Sequence, residues 1–85
     1  MIFFHGNFKK QYKKLSKNDQ ERLSERLNIF KQNPFNPILH NHELRGKYSG
    51  LNSINITGDL RALYQPVSDN LVLFVAIDTH SNLYE

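Results

Sequence analysis

The chain has 85 residues and a mass of 10.0 kDa, enough for one small core in which folding hides about 64% of the extended chain's surface. It has no cysteine, which excludes disulfides and thiolate metal sites and suits a reducing compartment, and 39% hydrophobic with 12% aromatic residues excludes a disordered chain. The net charge of +3 is unevenly spread: residues 1–47 hold ten of the eleven Lys and Arg against four acids, and residues 48–85 hold Arg61 against Asp59, Asp69, Asp78 and Glu85. A basic half of this kind fits a polyanionic partner, RNA or DNA first, or else a solvated pair of Lys-rich helices.

Ile2-Phe3-Phe4 fits a first strand. Met1 to His5 shows no charged region followed by an apolar one, so it does not read as a secretory leader. Phe8, Tyr12 and Leu15 fall at i, i+4 and i+7, one stripe of a helix, with Lys9, Lys10, Lys13 and Lys14 on the rest of its circumference. Ser16 and Asn18 both fit the N-cap of a second helix, with Asp19 and Glu21 three residues beyond each. Leu23, Leu27 and Phe30 repeat the stripe, and Asn33-Pro34 ends the helix because a proline disfavours helical geometry in the residue before it. Residues 34–43 read as a loop with two prolines and two histidines. Leu44 to Gly50 is expected as a short edge strand. Leu51–Thr57 and Leu60–Gln65 flank Gly58 as a hairpin, and Pro66–Asn70 reads as a second turn. Leu71 to Ile77 is continuously apolar, so it is expected as the central and most buried strand. It is far shorter than the roughly 20 residues of a membrane span. The order β-α-α-β-β-β-β predicts one α+β domain over residues 1–85, with a helical hairpin on one face of a mostly antiparallel sheet.

The hairpin register follows from the side-chain pattern. A two-residue turn at Gly58-Asp59 would set Ile56 opposite Arg61 and mix apolar with charged side chains on one face. A three-residue loop, Thr57-Gly58-Asp59, sets Ile56 opposite Leu60 and Ile54 opposite Ala62. Since a one-residue slip flips every side chain, the odd loop is expected. It places Ile54, Ile56, Leu60, Ala62 and Tyr64 under the helices, and Ser53, Asn55, Arg61, Leu63 and Gln65 on an open face.

Three segments carry candidate chemistry: His40-Asn41-His42-Glu43, the hairpin with Asn55, Asp59 and Arg61, and Asp78-Thr79-His80-Ser81. Each also has a plain reading, as a solvated loop, a turn and a strand cap. Together they suit attack on a phosphodiester. Metal-free RNA cleavage needs a base for the 2′-OH, an acid for the leaving 5′-oxygen and a cation for the charged phosphorane. Histidine titrates near neutral pH, and arginine matches phosphate bidentately. His40 and His42 have too few partners at ligand spacing for zinc, so neither a metal nor a cofactor is expected.

Three stretches resemble one family. His42-Glu43-Leu44-Arg45-Gly46 followed by Tyr48 and Gly50 is similar to its His-x-Leu-x-Gly segment. Asp59-Leu60-Arg61-Ala62-Leu63-Tyr64 is similar to its Asp-x-Arg-x-x-Tyr strand. Thr79-His80-Ser81-Asn82-Leu83-Tyr84 is similar to its terminal Thr-His-x-x-Leu-aromatic segment. The family is the RelE/ParE superfamily of type II toxin–antitoxin toxins, in its YafQ-like branch. The resemblance implies a RelE-like fold and a cytoplasmic, ribosome-dependent endoribonuclease that cleaves mRNA in the A site. It implies His42, Asp59 and His80 in proton transfer, Arg61 against the scissile phosphate, and Tyr84 stacking on a base. Lys9, Lys10, Lys13, Lys14, Arg45, Lys47 and Asn55 are the further expected RNA contacts. Asn55 stands where the branch carries a histidine, and an amide can position substrate but not carry a proton. Leu60 stands where it often carries tryptophan. The resemblance also implies a cognate antitoxin as partner, with the chain monomeric alone, hetero-oligomeric with the antitoxin, and off the membrane. Two alternatives are a ParE-like toxin acting on DNA gyrase, which would lack this His and Asp set, and an inactive RNA- or protein-binding module.

Overall fold

The structure, a computed structural model, describes residues 1–84. In chain order the elements are β1 (Ile2–Phe4), α1 (Gly6–Lys13), α2 (Lys17–Gln32), a 3-10 turn (Pro37–Leu39), β2 (His42–Glu43), a second 3-10 turn (Gly46–Tyr48), β3 (Asn52–Asn55), β4 (Leu60–Ser68), β5 (Leu71–Thr79) and α3 (His80–Leu83). The sheet runs β1-β5-β4-β3-β2, parallel only between β1 and β5. This is the expected α+β architecture, with one short C-terminal helix added. Among the described residues no helix is long and apolar enough to cross a membrane.

Local capping sets both long helices. The ring Nδ1 of His5 accepts from the Asn7 N–H at 3.0 Å and starts α1. Ser16, not Asn18, caps α2, its Oγ accepting from the Asp19 N–H at 3.1 Å. The first stripe is shorter than its spacing predicts. α1 stops at Lys13, so Leu15 lies beyond it, and Tyr12 stays 37% exposed. Phe8 alone of the three is buried. The polar side chains of α1 take up other work. β1 covers β5 only as far as Phe74, and past that point Asn7 Nδ2 donates to the Val75 carbonyl at 2.9 Å. The Ile77 N–H donates to Gln11 Oε1 at 2.9 Å. Two side chains thus satisfy an edge that would otherwise invite another strand.

The hairpin has the expected register, Ile54 opposite Ala62 and Asn55 opposite Arg61. The Ile56 N–H donates to the Leu60 carbonyl at 2.9 Å, closing the loop of Thr57, Gly58 and Asp59. Ile54, Ile56, Leu60, Ala62 and Tyr64 are all buried in the main core with Phe8, Leu23, Phe30, Leu39, Phe74 and Ile77. Burial pushes the Tyr64 phenol pKa above its ordinary value, partly offset by the hydrogen bond from Asn41.

Four expectations need correction. The edge strand is His42–Glu43, not Leu44–Gly50: Gly46, at φ +67°, turns the chain into the Gly46–Tyr48 turn instead. Pro66 lies inside β4, paired with Val72, because β3 has already ended opposite Tyr64 and leaves β4 an edge there that needs no proline N–H. The centre of the sheet is β4, not β5. Leu60 and Ala62 to Tyr64 of β4 are buried, whereas β5 buries only Phe74 and Ile77. The second face is not fully open: Ser53 and Leu63 are both inaccessible, and α3 brings Leu83 to 6% exposure.

Candidate active site

Alternation along the strands builds a floor on the face away from α1 and α2. One cross-strand row is His42, Ser53, Leu63 and Ala76, and the next is Asn55, Arg61 and Asp78. A cavity of about 620 Å³ stands on this floor, lined by His40, Asn41, His42, Leu44, Ser53, Asn55, Arg61, His80 and Tyr84. Of the residues expected to act, His42, Arg61, His80, Asn55 and Tyr84 therefore meet. Asp59 does not line the cavity. It sits exposed at the hairpin tip, and it is its backbone carbonyl that touches the site, accepting the His80 N–H at 2.8 Å. Lys9, Lys10, Lys13 and Lys14 are exposed on and just after α1, on the other side of the sheet. Arg45 and Lys47 are exposed beside the cavity, where the Lys47 ammonium lies 5.2 Å from the centre of the Tyr48 ring.

The hydrogen bonds define what the groups can do. His42 Nδ1 lies 2.8 Å from the His40 carbonyl. A carbonyl only accepts, so Nδ1 carries a proton, and in the neutral ring Nε2 keeps the lone pair a base needs. Arg61 is tied to its own hairpin. Its Nη1 donates to the carbonyls of Thr57 at 2.9 Å and Leu60 at 3.1 Å, and its Nη2 to Gly58 at 3.1 Å. Two of its five N–H donors, on Nε and Nη2, have no partner among the described residues. Asp78 faces Arg61 across the ladder but is committed elsewhere: its Oδ1 accepts from the Thr79 N–H at 2.8 Å and Asn82 Nδ2 at 3.0 Å. The only ion pair among the described residues is Arg22–Glu25, so the Arg61 charge is not neutralised by a carboxylate. The cavity lining holds three histidines and one arginine and no acid, a field suited to an anion.

α3 presents the remaining groups. Thr79 caps it, its Oγ1 accepting from the Asn82 N–H at 3.2 Å. The rings of His80 and Tyr84 are 4.7 Å apart, and Tyr48 packs edge-on to Tyr84 at 5.9 Å while its hydroxyl donates to the Leu83 carbonyl at 2.7 Å. Sequence reasoning missed Tyr48 as a support of this corner, and it placed Ser53 on this face without foreseeing its pairing with His42. The Ser53 hydroxyl is buried without a hydrogen-bond partner among the described residues. Its place opposite His42 was readable only once β2 was known to pair with β3. Among the described residues no group of three or more His, Cys, Asp or Glu is placed to hold a metal ion.

In fold, this small basic α+β domain matches a group of bacterial toxins. The chain has the same fold as YafQ from E. coli strain BL21(DE3), at a TM-score of 0.83, 22% identity and coverage of 100% of this chain and 98% of that one. It is similar to the toxin in the E. coli DinJ-YafQ complex, at a TM-score of 0.72, 23% identity and coverage of 100% and 98%. It is also similar to the YoeB-YefM complex from Staphylococcus aureus, at a TM-score of 0.75, 23% identity and coverage of 94% and 95%. A comparison with curated proteins by sequence gives no match. The model of the family "Bacterial toxin of type II toxin-antitoxin system, YafQ" matches residues 1–85. The chain belongs to this family of toxins.

Proposed function

We propose that this toxin is a ribosome-dependent endoribonuclease that cleaves mRNA in the A site by metal-free acid/base chemistry. The observation that carries the reading is the meeting of His42, Arg61 and His80 in one cavity without an acid. His42 Nε2 takes the proton of the 2′-OH. The 2′-oxygen attacks phosphorus, and the free donors of Arg61 receive the phosphorane charge. The 5′-oxygen leaves with a proton from His80, giving a 2′,3′-cyclic phosphate and a 5′-hydroxyl. Asn55 orients the nucleotide and Tyr84 stacks on its base. Asp59 contributes through the backbone bond to His80 rather than by moving a proton. The exposed Arg45, Lys47 and lysines around α1 hold RNA phosphates.

The protein works in the cytoplasm, monomeric until a cognate antitoxin binds it into a hetero-oligomer. Two of the similar structures are toxin–antitoxin complexes, which supports such a partner. The helix side offers it an apolar groove of about 450 Å³ between α1 and α2, lined by Phe4, Phe8, Tyr12, Leu23 and Leu27 with Lys9 and Lys13 among its walls.

The test is purified protein on ribosomes programmed with a defined message, with naked message as control. Cleavage of ribosome-bound message alone, leaving a cyclic phosphate, is expected. No cleavage on ribosomes, with DNA gyrase inhibited instead, would replace this reading by the gyrase one.

A further inference from the structure

His40 has φ +47° and ψ +45°, and it is the one non-glycine with positive φ among the described residues. Histidine enters the left-handed region more readily than most residues, but it does so where its surroundings require it. Here both flanks are fixed. Leu39 is fully buried. Asn41 Nδ2 donates to the Pro34 carbonyl at 3.0 Å and to the Tyr64 hydroxyl at 2.7 Å, and Asn41 Oδ1 accepts from Asn52 Nδ2 at 3.1 Å. His42 is itself held by pairing with Ser53. Between these anchors the left-handed step turns the His40 carbonyl back onto the ring of His42, 2.8 Å from Nδ1.

We infer that the left-handed backbone at His40 is a positioning device for His42. It keeps the neutral ring protonated on Nδ1, leaving Nε2 bare. The opposite tautomer would set the Nδ1 lone pair against the carbonyl lone pairs, so the bond excludes it. Nε2, which has no partner among the described residues, is then the nitrogen able to accept a proton. His40 acts through its main chain, and its own imidazole is not needed for this. The inference deepens the proposed reaction and rests on His42 being its base, but the tautomer itself is measurable without turnover.

Long-range proton–nitrogen correlation spectra of the uniformly 15N-labelled protein, recorded at alkaline pH where imidazole rings are neutral, report which ring nitrogen carries the proton. The parent is expected to show it on Nδ1. His40→Gly, which adopts positive φ freely, is expected to keep that pattern. His40→Val, whose branched Cβ resists positive φ, is expected to lose it and to lower the cleavage rate by about 10- to 100-fold, with ribosome binding retained. A parent ring protonated on Nε2, or a folded valine variant with the parent pattern, overturns the inference. If the valine variant does not fold, the parent and glycine spectra still decide it. A lost tautomer with unchanged cleavage supports the device and removes His42 as the base.

Discussion

On the helix side of the sheet, Phe74 sits among the rings of Phe4, Phe8, Phe30 and Tyr64, with centres 5.2–5.9 Å away. On the other side the sheet offers His42, Ser53, Asn55 and Arg61, from β2, β3 and β4, to a cavity of about 620 Å³. One face closes by aromatic packing, and its one phenol hydroxyl, that of Tyr64, is satisfied by Asn41. The other is stiffened by hydrogen bonds to main-chain carbonyls, which fix charged and titratable groups without neutralising them. The contrast shows how a chain this short holds a polar cavity: stability is concentrated on one face, and the other can carry an unpaired guanidinium and an unpartnered hydroxyl.

Substitutions on the two faces should therefore differ in kind. The largest loss of stability is expected for Phe74→Ala, about 3–5 kcal/mol in urea denaturation, because the ring is fully enclosed. For a domain with about 5–15 kcal/mol in total, that would leave little. A cost below about 1 kcal/mol would mean that the helices settle onto the sheet without the ring, and the contrast would fail.

His42→Gln and His80→Gln should act the other way. Each is expected to lower cleavage of ribosome-bound message by about 10²–10⁴-fold with the urea midpoint unchanged. Parent activity in either variant would take that residue out of the proton transfer.

Arg61 straddles the comparison. Read from the sequence it is a free cation for phosphate, whose loss would cost little stability. Its three bonds to the Thr57, Gly58 and Leu60 carbonyls change that expectation. Arg61→Ala should abolish cleavage and also destabilise by about 1–3 kcal/mol. Arg61→Lys keeps the charge but not the fork, and should recover less than half of the lost stability. No stability loss in either variant would return Arg61 to a purely substrate-facing role.

Ser53→Ala should stabilise, by about 1 kcal/mol, since it removes a buried hydroxyl that finds no partner. Destabilisation would show that the hydroxyl is satisfied. The smallest effect on the fold is expected from changing Lys9, Lys10, Lys13 and Lys14 together to Gln. Their side chains are exposed, so the urea midpoint should hold while ribosome binding weakens and depends less steeply on salt. Unchanged affinity would make them a solvated surface only.

Much of this was legible in one dimension. Alternation around Gly58 fixed the hairpin register, because a slip would have put Arg61 among Ile54 and Ile56. The spacing of Leu23, Leu27 and Phe30, with Ser16 before and Pro34 after, placed α2. The motifs around His42, Arg61 and His80 pointed to residues that do share a cavity. Errors arose where local signals compete with pairing partners far along the chain. Leu44 to Gly50 has strand-like residues, but the glycine at position 46 takes the left-handed backbone and the pairing moves to His42–Glu43. Leu71 to Ile77 is the most apolar run, yet sheet order decides burial, and that order puts β4 at the centre.

The sequence by itself determined the two longer helices, the first strand and the strands of the hairpin, and which side of that hairpin turns inward, since these depend on periodicities of a few residues. It also determined the excess of positive charge over residues 1–47. Tertiary structure alone decided that the Asp59 carbonyl accepts from the His80 N–H, that Arg61 is bound to its own loop, and that α1 caps the edge of β5 with Asn7 and Gln11. It decided too that the His40 carbonyl meets the ring of His42. Each of these is a hydrogen bond a few ångströms long, set by local backbone angles at Arg61 and His40 and by partners distant in sequence at Asp59, Asn7 and Gln11, and residue type carries neither.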